Sequence, residues 1–302
     1  MGREGADMGR EGADTGDELL DIRTLAGDSD AYRAELERRW SGLLSYRYIG
    51  RNHASMNLGP EDNTVRIRRD MRNEAGGLMV APLAIASPEG CQTDLVAVPN
   101  PVIASVQVLD PGFDVEAFEV LGSGLIHQGR TMGYGRCLIV DAEDRDRVIA
   151  LIEGQGASIG TPPEGLVRMD VEDSKLVIED SPDLPPLWQV FGAAKRGDGH
   201  WTLPELRADL ASPDAALHIG PQHVVLETAA VDLAADLAGT RRLQVQSWHV
   251  MFLARGKTGP FRVEGTAHRG RRGVIGARLL IHDEGNGDRA ITSAAAVLVP
   301  VD

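Results

Sequence analysis

Apolar residues fill most positions of one stretch, residues 217–236, and they recur with the period of a helix. Val224, Val225, Ala229 and Leu233 cover most of its circumference, which is typical of a largely buried helix. Gly220-Pro221 stands at its start, where proline disrupts no intrahelical hydrogen bond. The pattern therefore predicts a core helix over about residues 219–236.

A second apolar run, LMVAPLAIAS, follows Gly76-Gly77 and predicts another core helix over about residues 76–88. Residues 17–44 are amphipathic, with AYRAELERRW as their best-patterned part, and predict a helix on the outside of the first half. Residues 63–71, NTVRIRRDM, alternate apolar with basic positions, which predicts a strand.

Runs rich in β-branched residues, separated by turn residues, follow each predicted core helix. In the first half these runs are PVIASVQVLD, VEAFEVLGSGLIHQG, RTMGYGRCLIVD and RVIALIEGQGASIG. In the second half they are RRLQVQSWHVMFLAR, PFRVEGTAHRG, VIGARLLIHDEG and RAITSAAAVLVPV. A helix followed by consecutive strands with short connections favours an antiparallel sheet and the α+β class.

The two halves share anchor residues at a nearly constant spacing, which indicates an internal duplication. The matched anchors are His127-Gln-Gly129-Arg130 with His268-Arg-Gly270-Arg271, Asp141 with Asp283, Asp146-Arg147 with Asp288-Arg289, and Gly77 with Gly220. We therefore expect two copies of one unit in the chain.

At 302 residues, the chain is long enough for two domains. Residues 1–16 repeat MGREGAD with almost no apolar content, which predicts a disordered leader. The first domain then spans 17–160 and the second 188–302. Between them, residues 161–187 are rich in proline and acid and predict a linker.

Charge and cysteine usage narrow the class of protein. A net charge of −14 argues against a nucleic-acid partner or an anionic membrane surface. Cys91 and Cys137 form neither a metal-binding spacing nor a disulfide framework, which fits a reducing cytosol. No apolar run reaches about 18 residues, and no signal peptide opens the chain. We expect a soluble cytoplasmic protein without a metal site.

Glu227 places a carboxylate on the inward face of the predicted core helix, seven residues after Gly220. A buried carboxylate is costly unless it is paired, hydrogen-bonded or used in chemistry. With a raised pKa in an apolar site, it can serve as a general base or nucleophile. The structural alternative is an ion pair with an arginine across the interface between the two copies.

His218-Ile-Gly220 followed by Glu227, together with the helix-then-strands order, resembles the hot-dog-fold acyl-CoA thioesterase superfamily, in particular thioesterases of the phenylacetate-pathway kind. The resemblance implies a tandem double hot-dog, in which antiparallel sheets wrap around central helices. It also implies thioester hydrolysis, with coenzyme A as part of the substrate and no other cofactor. The first copy departs from the pattern, because Ala84 or Ile85 stands where the acid is expected.

In this family a carboxylate from one helix faces backbone N–H groups at the start of the other. The resemblance therefore implies one complete site, formed by Glu227 with Gly76 and Gly77 as oxyanion donors. A second site, at Gly220, would face Ala84 and lack an acid. Turn glycines without a catalytic role are the alternative for Gly76 and Gly77.

Four other residues are candidates for substrate binding. His218 and Gly220 lie at the start of the second core helix, and Arg271 and Arg272 have the charge to bind coenzyme A phosphates. A solvated hairpin is the alternative for the two arginines. His218 and His223 are five residues apart, which does not suit a metal pair on one helix.

Two other functions remain open at the level of sequence. Pro221, Glu227 and the following Thr-Ala-Ala also resemble the helix of acyl-thioester dehydratases and hydratases, although the histidine segment expected before that helix is missing. A non-catalytic hot-dog protein that binds an acyl ligand is the third reading. We also expect a homodimer of double units.

Overall fold

The computed structural model describes residues 19–49, 63–87, 91, 98–164 and 178–301. The predicted leader and the middle of the predicted linker lie outside these residues, and the bounds of the two predicted domains stay predictions. The helices are α1 (Ser29–Gly42), α2 (Leu44–Ile49), α3 (Val80–Ala86), α4 (Leu187–Val190) and α5 (Ile219–Ala238). None of the described helices is both long and apolar enough to cross a bilayer.

The strands of the first half are β1 (Thr64–Arg66), β2 (Val98–Val108), β3 (Ala117–Gln128), β4 (Met132–Asp141) and β5 (Val148–Ile159). Those of the second half are β6 (Ala194–Lys195), β7 (Trp201–Leu203), β8 (Ala211–Ser212), β9 (Ala216–Leu217), β10 (Leu243–Phe252), β11 (Phe261–Arg269), β12 (Ile275–Asp283) and β13 (Arg289–Pro300). All their pairings are antiparallel, which confirms the predicted α+β class.

One 11-stranded sheet runs through both halves in the order β1-β3-β4-β5-β2-β10-β13-β12-β11-β7-β6. Read outward from the centre, β2-β5-β4-β3 in one half corresponds to β10-β13-β12-β11 in the other. The two HxGR sequences occupy the matching turns after β3 and β11. This mirrored order is what an internal duplication predicts.

The two halves join where β2 pairs with β10, from Gln107 opposite Ser247 to Ile103 opposite Met251. The Gln107 side chain donates to the Ser247 hydroxyl at 3.0 Å. The larger of two hydrophobic clusters contains buried side chains of both halves, including those of α3 and α5. The predicted arrangement of two core helices under one continuous sheet is therefore confirmed.

The helix predicted over 17–44 is wrong in extent. A short 3₁₀ turn at Ile22–Leu25 comes first, and Asp28 then caps α1 by accepting hydrogen bonds from the amides of Asp30 and Ala31. A carboxylate at this position satisfies amides that have no partner in the first helical turn, so it starts a new helix. The sequence predicted one continuous helix because the apolar residues of the 3₁₀ turn and of α1 follow one pattern.

The strand predicted over 63–71 is also shorter in the structure. Pairing ends with β1, and Arg68 turns inward to donate two hydrogen bonds to Asp70, at 3.0 and 3.1 Å. The Arg68 guanidinium also lies over the Tyr48 ring, 4.7 Å from its centroid. Burying this pair requires the chain to leave the sheet, so the alternation seen in the sequence does not continue as a strand.

One of the two core helices begins later than predicted. α3 starts at Val80 and not at residue 76, whereas α5 runs from Ile219 as predicted and ends at Gly239, whose φ of 75° suits a glycine C-cap. The third residue of each helix is a proline, Pro82 and Pro221. The helix starts therefore align Ala81 with Gly220, and the sequence match of Gly77 with Gly220 is wrong.

Candidate functional site

The Glu227 carboxylate lies at the first turn of α3, where the two halves of the molecule meet. Its Oε1 accepts a hydrogen bond from the Val80 amide and its Oε2 one from the Ala81 amide, each at 2.8 Å. Glu227 is 2% exposed. Because Glu227 stands on α5, the second copy caps the core helix of the first.

Local sequence explains why the cap comes from another helix. Met79 is the N-cap residue of α3 and has no side-chain oxygen to accept from the helix amides. Its own amide donates to the Met71 carbonyl at 3.0 Å, and Pro82 has no N–H. Val80 and Ala81 are thus the amides of this turn that need an acceptor, and Glu227 provides both acceptor atoms.

Burial sets the proton affinity of Glu227. Loss of solvent raises the pKa of this carboxyl to about 7, although the hydrogen bonds from Val80 and Ala81 favour the ionised form. The partial positive charge at the start of α3 acts in the same direction as these bonds. The result is a carboxyl group that exchanges its proton near neutral pH inside an apolar core.

The structure does not bring Gly76 or Gly77 to Glu227, so the predicted pairing is corrected. The Gly76 amide donates to the Asn73 carbonyl at 2.9 Å, and the Gly77 amide to the Asn73 side chain at 3.1 Å. Both glycines belong to the turn that precedes α3. Gly76 has a φ of +95°, which favours glycine.

Gln244 explains the need for Gly77. Its side-chain oxygen accepts from the Asn73 amide group at 2.7 Å, and its nitrogen donates to the Leu78 carbonyl at 3.1 Å. A Cβ at Gly77 would overlap that oxygen. Asn73 from the first half and Gln244 from the second half together fix the turn that leads into α3.

The start of α5 has a different cap. His218 is its N-cap residue, and the Nδ1 atom accepts from the Gly220 amide at 3.3 Å. The Ser45 hydroxyl lies 3.2 Å from the same nitrogen. A Cβ at Gly220 would overlap Ser45, so α2 closely covers this helix end.

Two solved structures resemble the chain over most of its length. The tesB protein of Mycobacterium avium subspecies paratuberculosis has a TM-score of 0.52 at 11% identity, covering 82% of this chain and 97% of that one. An acyl-CoA thioesterase II from Mycobacterium marinum has a TM-score of 0.51 at 14% identity, covering 82% and 96%. No protein-family model and no curated sequence matches the chain.

At such identities the resemblance establishes the fold, together with the mirrored sheet and the paired core helices. The chain has a double hot-dog fold. The predicted tandem arrangement is thereby confirmed.

Arg271 and Arg272 lie on the exposed turn between β11 and β12 of the double hot-dog. The neighbouring Arg269 donates to the Leu237 carbonyl near the end of α5. Leu237 is ten residues from Glu227, or about 15 Å along the helix at about 1.5 Å per residue. The two arginines are thus at the far end of α5 from His218 and Gly220.

Sequence reasoning missed His223, which is completely buried in the double hot-dog. Its Nδ1 accepts a hydrogen bond from the Trp248 indole at 3.1 Å, and its ring packs edge-on against Phe252. Burial lowers the pKa of this imidazole to about 4. From the sequence, His223 was considered only as part of a metal pair, because spacing alone does not show which polar atoms have partners.

Among the described residues, no three His, Cys, Asp or Glu side chains are close enough to share a metal ion. Cys91 and Cys137 are buried, and they are not joined in a disulfide. Glu227 and His223 are therefore the buried titratable groups of α5 from which a reaction can be built.

Proposed function

We propose that this protein hydrolyses acyl thioesters, with Glu227 as the general base. The observation that carries the proposal is the Glu227 carboxylate, held by two amides of the other half and raised in pKa to about 7. A general base is most effective when its pKa lies near the working pH. The double hot-dog fold supports this reading.

Glu227 would act on a water molecule. Each carboxylate oxygen that accepts one amide hydrogen bond keeps a second lone pair, so Glu227 can accept a water proton while α3 holds it in place. The water oxygen bonds to the thioester carbon, and the carbonyl π electrons move to oxygen. When that pair returns, the carbon–sulfur bond breaks and Glu227 returns the proton to the sulfur, which yields a carboxylic acid and a thiol.

The two α3 amides do not fit the predicted role of oxyanion donors. Both donate to Glu227, so they orient the base and lower the energy of its ionised form. Stabilising the charge that develops on the carbonyl oxygen requires another donor.

We propose coenzyme A as the thiol. One of the similar structures is described as an acyl-CoA thioesterase, and the exposed Arg271 and Arg272 have the charge to bind phosphate groups. The acyl group is left unspecified. A homodimer of double units and a cytoplasmic location stay predictions.

A non-catalytic acyl-binding protein is the second candidate, and one observation favours it. Glu227 fully satisfies the two amides that α3 leaves unpaired, so its carboxylate has a structural reason to be present. Under this reading Glu227 is a helix cap contributed by the neighbouring copy.

The two candidates are separated by thiol release from a panel of acyl-CoAs, measured for the parent, Glu227→Gln and a matched control. Asp283 offers that control, since its buried carboxylate accepts amide hydrogen bonds from Lys257 at 2.7 Å and Gly259 at 2.7 Å. Asp283→Asn removes the same kind of clamp elsewhere in the second half.

Both substitutions replace an accepting oxygen by an NH₂ group that faces a backbone N–H, so both are expected to lower the melting temperature. The assay is therefore run well below both melting temperatures, with circular dichroism as the folding control. Loss of thiol release in Glu227→Gln alone supports catalysis. A parent that binds acyl-CoA without releasing thiol leaves the binding protein as the function.

A further inference from the structure

The imidazole of His223 has one polar atom without a partner. Its Nε2 is buried and makes no hydrogen bond with any described residue. An unpaired buried donor or acceptor destabilises the folded state, so native structures contain few of them. Among the unpaired buried atoms of the described residues, this one lies on α5, the helix that carries Glu227.

Trp248 determines which nitrogen carries the proton. An indole N–H only donates, so the 3.1 Å contact requires Nδ1 of His223 to be the acceptor. Because burial lowers the pKa of His223 to about 4, the ring is neutral at pH 7. Its single proton is then on Nε2, and the unpaired atom is an N–H donor.

His223 is also close enough to Glu227 to act on the same substrate. The two residues are four apart on α5, so their side chains lie on one face with Cβ atoms about 5–6 Å apart. The thioester carbonyl needs a hydrogen-bond donor beside the base, and the Val80 and Ala81 amides are already used by Glu227.

We propose that the Nε2–H of His223 donates a hydrogen bond to the carbonyl oxygen of the bound acyl thioester. This rests on the proposed function and adds a catalytic residue to it. As the water oxygen attacks the carbonyl carbon, negative charge collects on the oxygen that His223 contacts. The imidazole keeps its proton throughout, and the proton from water goes to Glu227.

The direct test is NMR spectroscopy of the full-length protein labelled with ¹⁵N-histidine, during titration with acetonyl coenzyme A. This probe is a ketone with a methylene group between sulfur and the carbonyl, so it cannot be hydrolysed. The His223 signal is assigned from its loss in His223→Asn. We expect the Nε2 proton of His223 to shift downfield as the probe binds.

Two substitutions separate the donor from the packing of the ring. Asparagine places its oxygen near the Nδ1 position, where it still accepts from Trp248, but has no group at Nε2. Glutamine reaches further and places an NH₂ group near the Nε2 position. With a short acyl-CoA, His223→Asn should lower kcat by about 10²–10³-fold, as does removal of other oxyanion donors. We expect His223→Gln to recover most of that loss.

Thr228→Val is the matched control on the same helix, because the Thr228 hydroxyl donates only to the Val224 carbonyl. Its kcat should stay at the parent value. A kcat for His223→Asn equal to that of the control, or loss of kcat by the same factor in His223→Asn and His223→Gln, overturns the proposal.

The NMR titration distinguishes a failure of the His223 proposal from a failure of the proposed function. If the parent releases no thiol but the His223 signal shifts with acetonyl coenzyme A, hydrolysis fails and the carbonyl contact stands. If the signal does not move at any concentration of the probe, the His223 proposal is overturned whatever the thiol assay shows.

Discussion

The starts of α3 and α5 are equivalent positions in the two copies, yet they are stabilised in different ways. A charged group from the opposite copy, Glu227, caps α3. A side chain of the same copy, His218, caps α5, and Ser45 covers it. The two halves of one chain differ in sequence, so their helix starts can be capped by different groups.

The difference in length between α5 and α3 explains why Glu227 has no counterpart on α3. α5 continues for 20 residues, so Glu227, at its ninth position, extends to the other copy. α3 has seven residues and stops at Ala86. Pro88 follows in the sequence, and a proline disfavours helical geometry in the residue before it. With the helix starts aligned, the match for Glu227 is position 88, and Ala84 matches His223.

Removing the Glu227 cap of α3 should have the largest effect on the free energy of unfolding. Glu227→Met preserves length and helix propensity but leaves the Val80 and Ala81 amides unpaired. At about 1–3 kcal/mol for each buried donor, we expect a loss of about 2–6 kcal/mol in unfolding free energy. Urea denaturation measures it, with Thr228→Val as the neighbouring control. A loss no greater than that of the control contradicts the capping role.

The charged cap should also make stability depend on pH. The pKa of Glu227 is about 7 in the folded state and near 4.5 when unfolded, so between these values the folded state binds the extra proton. The unfolding free energy of the parent relative to Glu227→Gln should therefore fall by about 3 kcal/mol as pH rises from 4.5 to 7.

His223, whose pKa is lowered, contributes the opposite slope below pH 6.5, but it is present in both proteins and cancels in the difference. Denaturation curves at several pH values give the comparison. A difference that stays constant from pH 4.5 to 7 contradicts the raised pKa of Glu227.

The start of α5 is tested by exchanging the second residue of each helix, so that Gly220 becomes alanine and Ala81 becomes glycine. Gly220→Ala places a methyl group against Ser45, and overpacking of this kind costs about 1–3 kcal/mol. Combining it with Ser45→Gly should recover most of the loss. The matched exchange, Ala81→Gly, should cost no more than about 1 kcal/mol. Equal melting temperatures for Gly220→Ala and the parent contradict the close cover by α2.

The smallest effect should come from the N-cap of α5 itself. His218→Asn keeps a side-chain acceptor for the Gly220 amide, whereas His218→Ala removes it and should cost about 1 kcal/mol. Calorimetry of both variants measures the difference. If Asn is no better than Ala, the hydrogen bond to Gly220 does not stabilise the helix.

The sequence predicted the fold through its periodic parts. Repeated anchors and alternating strands indicated two copies of a helix with antiparallel strands, and the start of α5 followed from Gly220-Pro221. The start of α3 was missed because Gly76 and Gly77 belong to a turn held by Asn73, and the position of Asn73 depends on Gln244 from the other half. A contact between residues so far apart in the chain leaves no local pattern.

The candidate site was predicted in part. Glu227 stood out because a carboxylate on an apolar helix face needs a partner, and the structure shows that partner to be two backbone amides. Backbone donors have no side-chain signature, so Val80 and Ala81 could not be identified from the sequence. His223 was missed for a related reason, since an unpaired atom is visible only when its neighbours are known.

The ends of the long sheet affect solubility. Its outermost strands, β1 and β6, have only three and two residues, and they carry the cations Arg66 and Lys195. Short edge strands with basic side chains give a foreign strand little backbone to pair with and repel another edge of the same kind. The pairing of β2 with β10 places two longer strands in the middle of the sheet. The exposed edges that remain are poor templates for aggregation.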